Sequence, residues 1–390
     1  MDLVRRLITT SGSFLPNLQN LNIVMKYSNA ESVYAAVDLL LSPSIRSLAF
    51  HTGSSGPGDH HELLERAGRI CPHITYLNAA ASLSHPFALS SFSRLEDFVS
   101  HDALPAEALA HLASLDTVHA LDIAPPNPQA SSLLLHRGSF AFLRTLFMCC
   151  SPFLNDRPFI APFLRAISSQ TLQSVSIFTR IHSSHDNDLT YLSELISAIS
   201  NFASLRYFQL TAGCKTWGGD CDLLPLQRLR RLKSLSLSLD RIVPNFTDSS
   251  LPQYGAAWPE IEDLRVVYIT ERLSDLERRT TLTLAALSAF AQHFPRLESF
   301  RGHLDARAID TSVDLQHLPS TLRLVNLDIR NSLAGEDTKA IAAYISAVCP
   351  FGYLTSIHDS YVPEAELDRE HEKAWSAVEQ IVNHVAGARR

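Results

Sequence analysis

Residues 16–23 read PNLQNLNI, and residues 258–266 read WPEIEDLRV. Each stretch contains a proline, one further residue, and then a six-residue frame whose first, fourth and sixth positions are apolar. Proline cannot continue a helix and disfavours helix at the residue before it. Each stretch therefore predicts a point at which a helix ends and a short strand begins, and the frame decides the fold because it recurs along the chain.

The frame occurs thirteen times, and the mean spacing of its first residues is 28. These residues are Leu18, Ile45, Ile74, Leu95, Val118, Leu143, Leu172, Leu205, Leu232, Ile261, Leu297, Leu324 and Leu354. A period of about 20–29 residues is typical of leucine-rich repeats. We expect an α/β leucine-rich-repeat solenoid, an irregular horseshoe with short parallel strands inside and helices outside. The alternative is an ordinary α/β domain, since short apolar runs do not separate the two.

The frame also predicts how the chain is divided. We expect an N-terminal helical cap over residues 1–17, about 13 repeat units over residues 18–360, and a charged C-terminal helical cap over residues 361–390. Between frames, residues 188–202, 281–294 and 337–348 have the apolar spacing of helices. The insertions at 212–222 and 241–258 contain Gly, Ser and Pro, so we predict loops there.

Composition limits the function classes. The chain has 390 residues, 46% of them apolar, and a net charge of −7. The negative charge argues against a nucleic-acid partner, and the absence of an 18-residue apolar run argues against a membrane span. Six cysteines without a C-x-x-C pair indicate a reducing compartment, so we expect a cytoplasmic or nuclear protein.

Motifs for catalysis or cofactors are missing from the sequence. It contains no phosphate-binding glycine loop and no nucleophile elbow, so we expect no enzyme activity and no cofactor. The segments 60–62 and 182–186 combine His with Glu or Asp, but each lacks a third ligand at ordinary spacing. We therefore expect no metal site.

Four stretches carry a resemblance to a known family: residues 14–21 (FLPNLQNL), 71–77 (CPHITYL), 258–264 (WPEIEDL) and 293–300 (HFPRLESF). They resemble the leucine-rich-repeat region of F-box proteins, above all the divergent kind found in large fungal families. The resemblance implies the substrate-binding region of a ubiquitin-ligase receptor. An F-box has roughly 40–50 residues, more than the 17 that precede Leu18. We therefore expect contact with a ligase adaptor only if an F-box lies upstream.

Side chains alternate along a strand, so the third, fifth and seventh frame positions should line the concave face, where solenoids bind partners. Two patches on that face are candidate sites for a protein partner of unknown identity. The aromatic patch contains Phe147, Phe178 and Tyr207, and the charged patch contains Asp263, Arg265, Arg301, His303, Asp328 and Arg330.

Each patch has two interpretations. The segment 151–162 could fold over the aromatic residues as a local core, or these residues could anchor a partner. The charged residues could satisfy one another, or their arginines could bind an acidic or phosphorylated peptide.

The leading hypothesis is a protein-recognition scaffold. The alternatives are a GTPase-activating or other regulatory leucine-rich-repeat protein, a hydrolase on an α/β fold, and a truncated relic without activity.

Overall fold

The computed structural model describes most of the repeat region and the C-terminal helix. The described residues are 15–25, 37, 39–52, 61–79, 89–125, 139–149, 160–181, 188–214, 219–240, 242–269, 281–307, 324–329, 332–350, 352–355 and 366–389. Residues 1–14 of the predicted N-terminal cap and the candidate Arg330 lie outside this part of the chain.

Seventeen strands occur in the described part of the chain. They are β1 Asn20–Met25, β2 Ser47–Thr52, β3 Tyr76–Ala79, β4 Asp97–Ser100, β5 Ala120–Ile123, β6 Thr145–Cys149, β7 Ser174–Ile181, β8 Tyr207–Cys214, β9 Gly219–Cys221, β10 Ser234–Asp240, β11 Ile242–Pro244, β12 Asp263–Ile269, β13 Ser299–Gly302, β14 Asp305–Ala306, β15 Asn326–Asp328, β16 Leu333–Ala334 and β17 Tyr353–Thr355. Thirteen of them form one open sheet, and β9 with β11 and β14 with β16 form two small sheets.

Strand order in the large sheet follows the order of the chain, with β9, β11, β14 and β16 left out. Neighbouring strands run parallel, as β1 and β2 do in one half and β10 and β12 in the other. Each of the thirteen repeats thus supplies one strand, which is the arrangement of a leucine-rich-repeat solenoid. The predicted α/β leucine-rich-repeat fold is confirmed.

The chain divides into two compact units, Met1–Ile177 and Phe178–Arg390. Unit 1 contains β1 to β6, unit 2 contains β8 to β17, and the division falls within β7.

Burial of the frame side chains builds the core of each unit. In unit 2 Ile261 and Leu264 are fully buried and Val266 is 5% exposed, which matches the first, fourth and sixth positions. In unit 1 Val118 and Leu121 are buried in the same way. Each buried side chain of this kind stabilises the fold by about 1.5–3 kcal/mol relative to exposure.

In most repeats one backbone carbonyl joins the repeat to the next. Lys233 O, at the second frame position, accepts hydrogen bonds from the backbone N–H groups of Glu262 at 2.8 Å and Asp263 at 3.0 Å. Gln19 O accepts from Arg46 and Ser47 in the same way. In these repeats two donors converge on one oxygen at the start of the strand, so the strand starts stay aligned from repeat to repeat.

The last frame is shifted from its predicted position. The register pairs Leu354 with Leu327, which is the fourth residue of the frame that begins at Leu324. Leu354 is therefore a fourth position, and the prediction that it starts a frame is wrong. The misplacement follows from a proline, Pro350, that stands one residue before the frame instead of two.

Helices lie between the strands along the chain. Their bounds are α1 His61–Ile70, α2 Ala106–Ser114, α3 Ile160–Ala166, α4 Asp188–Ile199, α5 Leu251–Ala257, α6 Ala285–His293, α7 Thr338–Val348 and α8 Glu366–Arg389. The helices predicted over 188–202, 281–294 and 337–348 are confirmed. The α7 helix begins where the Asp337 carboxylate accepts a hydrogen bond from the backbone N–H of Ala340 at 2.9 Å, a standard helix cap.

The two insertions predicted as loops contain regular structure instead. Strand β9 pairs in parallel with β11, and the second insertion continues through a 3₁₀ helix, Asp248–Ser250, into α5. A buried aromatic cluster holds this region together. The ring of Tyr254 lies 5.2 Å from that of Phe246 and 4.8 Å from that of Trp258, and the Trp258 indole donates to Leu226 O at 3.0 Å. The loop prediction was wrong because it relied on the Gly and Pro residues of the insertions and gave too little weight to these apolar residues.

The C-terminal helix α8 packs its apolar side against α7 and β17. Trp375, Val378 and Val382 are buried, and the Trp375 indole donates to Ser332 O at 2.8 Å. The Asn383 side chain accepts from the backbone N–H of Leu354 at 2.9 Å and donates to its carbonyl at 3.0 Å. A side-chain amide therefore satisfies the strand-edge groups of Leu354 that a further strand would otherwise pair with.

Candidate protein-binding face

Polar side chains of unit 2 form two rows across its parallel strands. The third-position row is Tyr207, Ser234, Asp263, Ser299, Asn326 and Tyr353, and the fifth-position row is Gln209, Ser236, Arg265, Arg301, Asp328 and Thr355. We call these twelve residues the polar face of unit 2. Adjacent members of a row lie on strands about 4.8 Å apart, so their side chains can act on one ligand.

Two arginines stand side by side in the fifth-position row. Arg265 is directly opposite Arg301 in the register, and Arg301 in turn is opposite Asp328. The Arg301 Nε lies 3.1 Å from Asp328 Oδ2, with the two side chains 20% and 17% exposed. The Arg265 Nε is buried and makes no hydrogen bond within the described residues. Asp328 thus neutralises Arg301 directly, whereas Arg265 lies one strand further from Asp328 in the row.

Serines surround Arg265 on the strand before it. Strand β10 reads SLSLSLD, so Ser234, Ser236 and Ser238 share the face opposite to the buried leucines. Ser236 is directly opposite Arg265 in the register. The Ser234 hydroxyl donates to Asp263 Oδ2 at 3.0 Å, which engages that carboxylate. The neighbourhood of Arg265 therefore holds hydroxyl donors beside a cation, a combination that suits an anionic group.

Exposed tyrosines stand at both ends of the third-position row. Tyr207 is 49% exposed and Tyr353 is 38% exposed. Sequence reasoning singled out Tyr207 and missed Tyr353, because the last frame was set three residues too late. A frame that began at residue 351 would have placed Tyr353 at the third position.

One candidate of the charged patch needs correction. His303 is only 4% exposed, so the expectation that it lines an accessible face is wrong. Strand β13 ends at Gly302, and the alternation of inward and outward side chains ends with it. Arg330 lies outside the described residues. Asp263, Arg265, Arg301 and Asp328 remain together on the polar face.

The aromatic patch divides between the units. Phe147 is half-buried in unit 1, and in unit 2 Phe178 is half-buried while Tyr207 is exposed. Most of the segment predicted to cover them, residues 151–159, lies outside the described part of the chain. Within unit 2, Tyr207 therefore joins the polar face as its exposed aromatic side chain.

Acidic residues occupy the corresponding positions of unit 1. Burial raises the pKa of Asp97, and the neighbouring Glu96 raises it further while His119 lowers it. Burial also raises the pKa of Asp122, with an opposing effect from His101. One oxygen of Asp122 is buried without a hydrogen bond among the described residues.

Within the described ranges, no three His, Cys, Asp or Glu side chains come together in a way that could hold a metal ion. Over the same residues, no helix combines the length and the apolar character that crossing a membrane requires.

Comparisons with known proteins find similarity to solved structures. No protein-family model matches the chain, and no curated protein matches it. Among solved structures, it is similar to the Toll–Spatzle complex of Drosophila, with 11% identity over 82% of this chain and 42% of that one, at a TM-score of 0.40. It is also similar to the leucine-rich-repeat protein LegL7 of Legionella pneumophila, with 12% identity over 80% and 90% of the two chains and a TM-score of 0.35. A third similar structure is the yeast Rad7–Elc1 complex, with 14% identity over 86% and 84% and a TM-score of 0.37.

Proposed function

We propose that the polar face of unit 2 binds a segment of a protein partner and holds an acidic or phosphorylated side chain at Arg265. The observation that carries this proposal is the buried Nε of Arg265, which has no hydrogen-bond partner within the described residues. A buried charged donor left in this state is costly, so an incoming anion would gain from pairing with it. The proposal is for binding alone, without a cofactor.

The surroundings of Arg265 support an anionic group over a neutral one. The guanidinium can bind a carboxylate or phosphate through two parallel hydrogen bonds. Ser236 lies directly opposite on β10 and can add a hydroxyl donor. Arg301 lies opposite on β13 and adds positive charge, although Asp328 partly neutralises it.

The exposed tyrosines supply apolar contact at the ends of the same face. Five strand intervals separate Tyr207 from Tyr353 in the sheet. At the usual strand spacing this is roughly 24 Å, the length of an extended peptide of about seven residues. Tyrosine and arginine are the residue types that most often dominate binding energy at protein interfaces. The polar face is therefore suited to an extended segment with an anionic residue in its interior.

A peptide array tests this proposal. The full chain would be applied to matched peptides that carry serine, phosphoserine or glutamate at one central position. We expect retention of phosphoserine or glutamate peptides, and Arg265→Ala should weaken it by about 10–100-fold, the effect of a lost charge-assisted pair. Arg231→Ala is the matched control, because it removes the same charge from an exposed position outside the polar face.

The conservative variant separates charge from geometry. Arg265→Lys keeps the charge but loses the planar fork, so we expect binding between that of the wild type and that of Arg265→Ala. Equal retention of serine and phosphoserine peptides by every variant would refute the anionic anchor.

The resemblance of the repeat motifs to F-box proteins supports a more specific role, the substrate-binding region of a ubiquitin-ligase receptor. Affinity purification of the endogenous protein, followed by mass spectrometry, tests it. Recovery of the ligase adaptor and a cullin would support the role. Enrichment of another protein without them would leave a free-standing recognition module and remove the ligase role.

A further inference from the structure

Helices α7 and α8 of unit 2 enclose an open groove with a volume of about 500 Å³. Three alanines of α7 and the side chains of Ile381 and Val385 of α8 give it an apolar lining, and Lys339 and Arg389 are its charged residues. Ile381 is 38% exposed, so this apolar lining faces solvent in the isolated chain.

The two cations lie at different levels of the groove. The Arg389 guanidinium donates to the carbonyl of Ser346 at 2.9 Å, which places it beside the last turn of α7. Lys339 is exposed on the first turn of the same helix, seven residues before Ser346. Seven residues of helix span about 10 Å, and residues at this spacing share one side of the helix. The groove therefore has an apolar middle and a positive charge near each end.

A buried hydroxyl provides an independent indication of a ligand. Ser346 lines the groove and is only 8% exposed, and its Oγ makes no hydrogen bond within the described residues. An unsatisfied buried hydroxyl is unfavourable, and native proteins have few of them. A ligand that brought an acceptor into the groove would satisfy it.

We propose that this groove binds an amphipathic helix of a protein partner, with two carboxylates seven residues apart on either side of an apolar contact. The carboxylates would pair with Lys339 and Arg389, whose spacing along α7 matches two turns of a partner helix. Alanines such as Ala343 let the partner backbone come close. The groove is open along its length, and an extended apolar surface of this kind suits a helix better than a small molecule, which prefers an enclosed cavity.

A designed peptide is the probe. It has about 18 residues, enough for a stable helix, with two glutamates seven apart and leucines three and four residues after the first. Fluorescence anisotropy with the full chain would measure its dissociation constant, which we expect below about 100 μM, as for a weak specific contact. The double reversal Lys339→Glu with Arg389→Glu should weaken binding at least about tenfold. A peptide with both glutamates replaced by lysine should regain affinity for that double variant.

Controls on folding and specificity accompany the charge swap. Lys373→Glu makes the same change at an exposed position of α8 outside the groove and should leave binding unchanged. Ala343→Glu changes an exposed groove residue and should weaken binding, which keeps the test valid should the double reversal destabilise α8. Arg265→Ala should have no effect, because it lies on the polar face.

Three results would overturn the proposal. The first is no binding of the peptide up to about 1 mM, the range of very weak contacts, and the second is binding that changes neither with the charge reversal nor with Ala343→Glu. The third is displacement of the peptide by palmitate, if palmitate itself binds in an Arg389-dependent manner. The last result would identify the groove as a site for an anionic lipid.

Discussion

In unit 1 the strand positions that alternate with the core carry Asp97 and Asp122, whereas in unit 2 they carry Arg265 and Arg301. Both sets stand at the third or fifth position of the same frame, next to equally buried apolar side chains. Unit 2 also has acids on this face, but Asp328 pairs with Arg301, and Asp263 accepts a hydrogen bond from the Ser234 hydroxyl. The frame therefore fixes where these side chains stand and leaves their charge free to differ.

The common frame predicts equal losses of stability in the two units. Leu121→Ala in unit 1 and Leu235→Ala in unit 2 both remove a fully buried fourth-position side chain. We expect each to lower the free energy of unfolding by about 2–5 kcal/mol, since each leaves a cavity. Urea unfolding followed by circular dichroism would measure it.

The matched control is Ser236→Ala, next to Leu235 on the polar face, which should change stability by less than about 0.5 kcal/mol. If either leucine variant lowered the free energy of unfolding no more than this control does, the two units would not depend equally on their fourth-position side chains.

The ion pair on the polar face should have a moderate effect. Arg301 and Asp328 are 3.1 Å apart and largely buried, at 20% and 17% exposure. We expect a double-mutant cycle with Arg301→Ala and Asp328→Ala to give a coupling of about 1 kcal/mol. Lys233 and Glu262 form a more exposed pair, at 25% and 42%, so their coupling should be smaller. Equal couplings would show that burial does not govern these pairs.

The smallest effect concerns the acids of unit 1. Burial raises the folded-state pKa of Asp122 above its unfolded value, so the folded state favours the protonated carboxyl. Stability from this group is therefore present below the unfolded pKa and is lost as the pH rises through the folded pKa.

Asp122→Asn should consequently stabilise the protein at pH 7 and have less effect near pH 3.5. Urea unfolding at both values would measure the difference, with Asp116→Asn as the control at an exposed site. An equal effect of Asp122→Asn at the two pH values would contradict the proposed burial effect.

Much of the fold could be predicted because the frame is local. Leu232, Leu235 and Leu237 occupy the first, fourth and sixth positions of one frame, and all three are buried. Shifting the strand by one residue would turn its leucines towards solvent, so the frame specifies which side of the strand is buried. The same alternation correctly placed Arg265 and Arg301 on the opposite face, although their roles there stay predictions. The prediction for His303 was wrong because β13 ends one residue earlier, at Gly302, and the sequence carries no signal for that end.

Other features required contacts between distant residues. Strand β9 pairs with β11 across more than twenty residues, around the stacked rings of Tyr254 and Trp258. The amide of Asn383 reaches Leu354, 29 residues earlier, to satisfy a strand edge. No short-range pattern predicts such partners, because the sequence around an asparagine in a charged helix is the same whether its side chain faces solvent or a strand edge.

Apolar spacing and proline positions act over a few residues, so they were enough to predict the repeat, its strands and the side of each strand that is buried. Contacts in the folded chain set the charge partner of Arg301, the burial of His303, the regular structure of the insertions and the groove between α7 and α8. These features depend on which side chains meet across repeats, and that is set by packing over distances at which spacing along the chain carries no information.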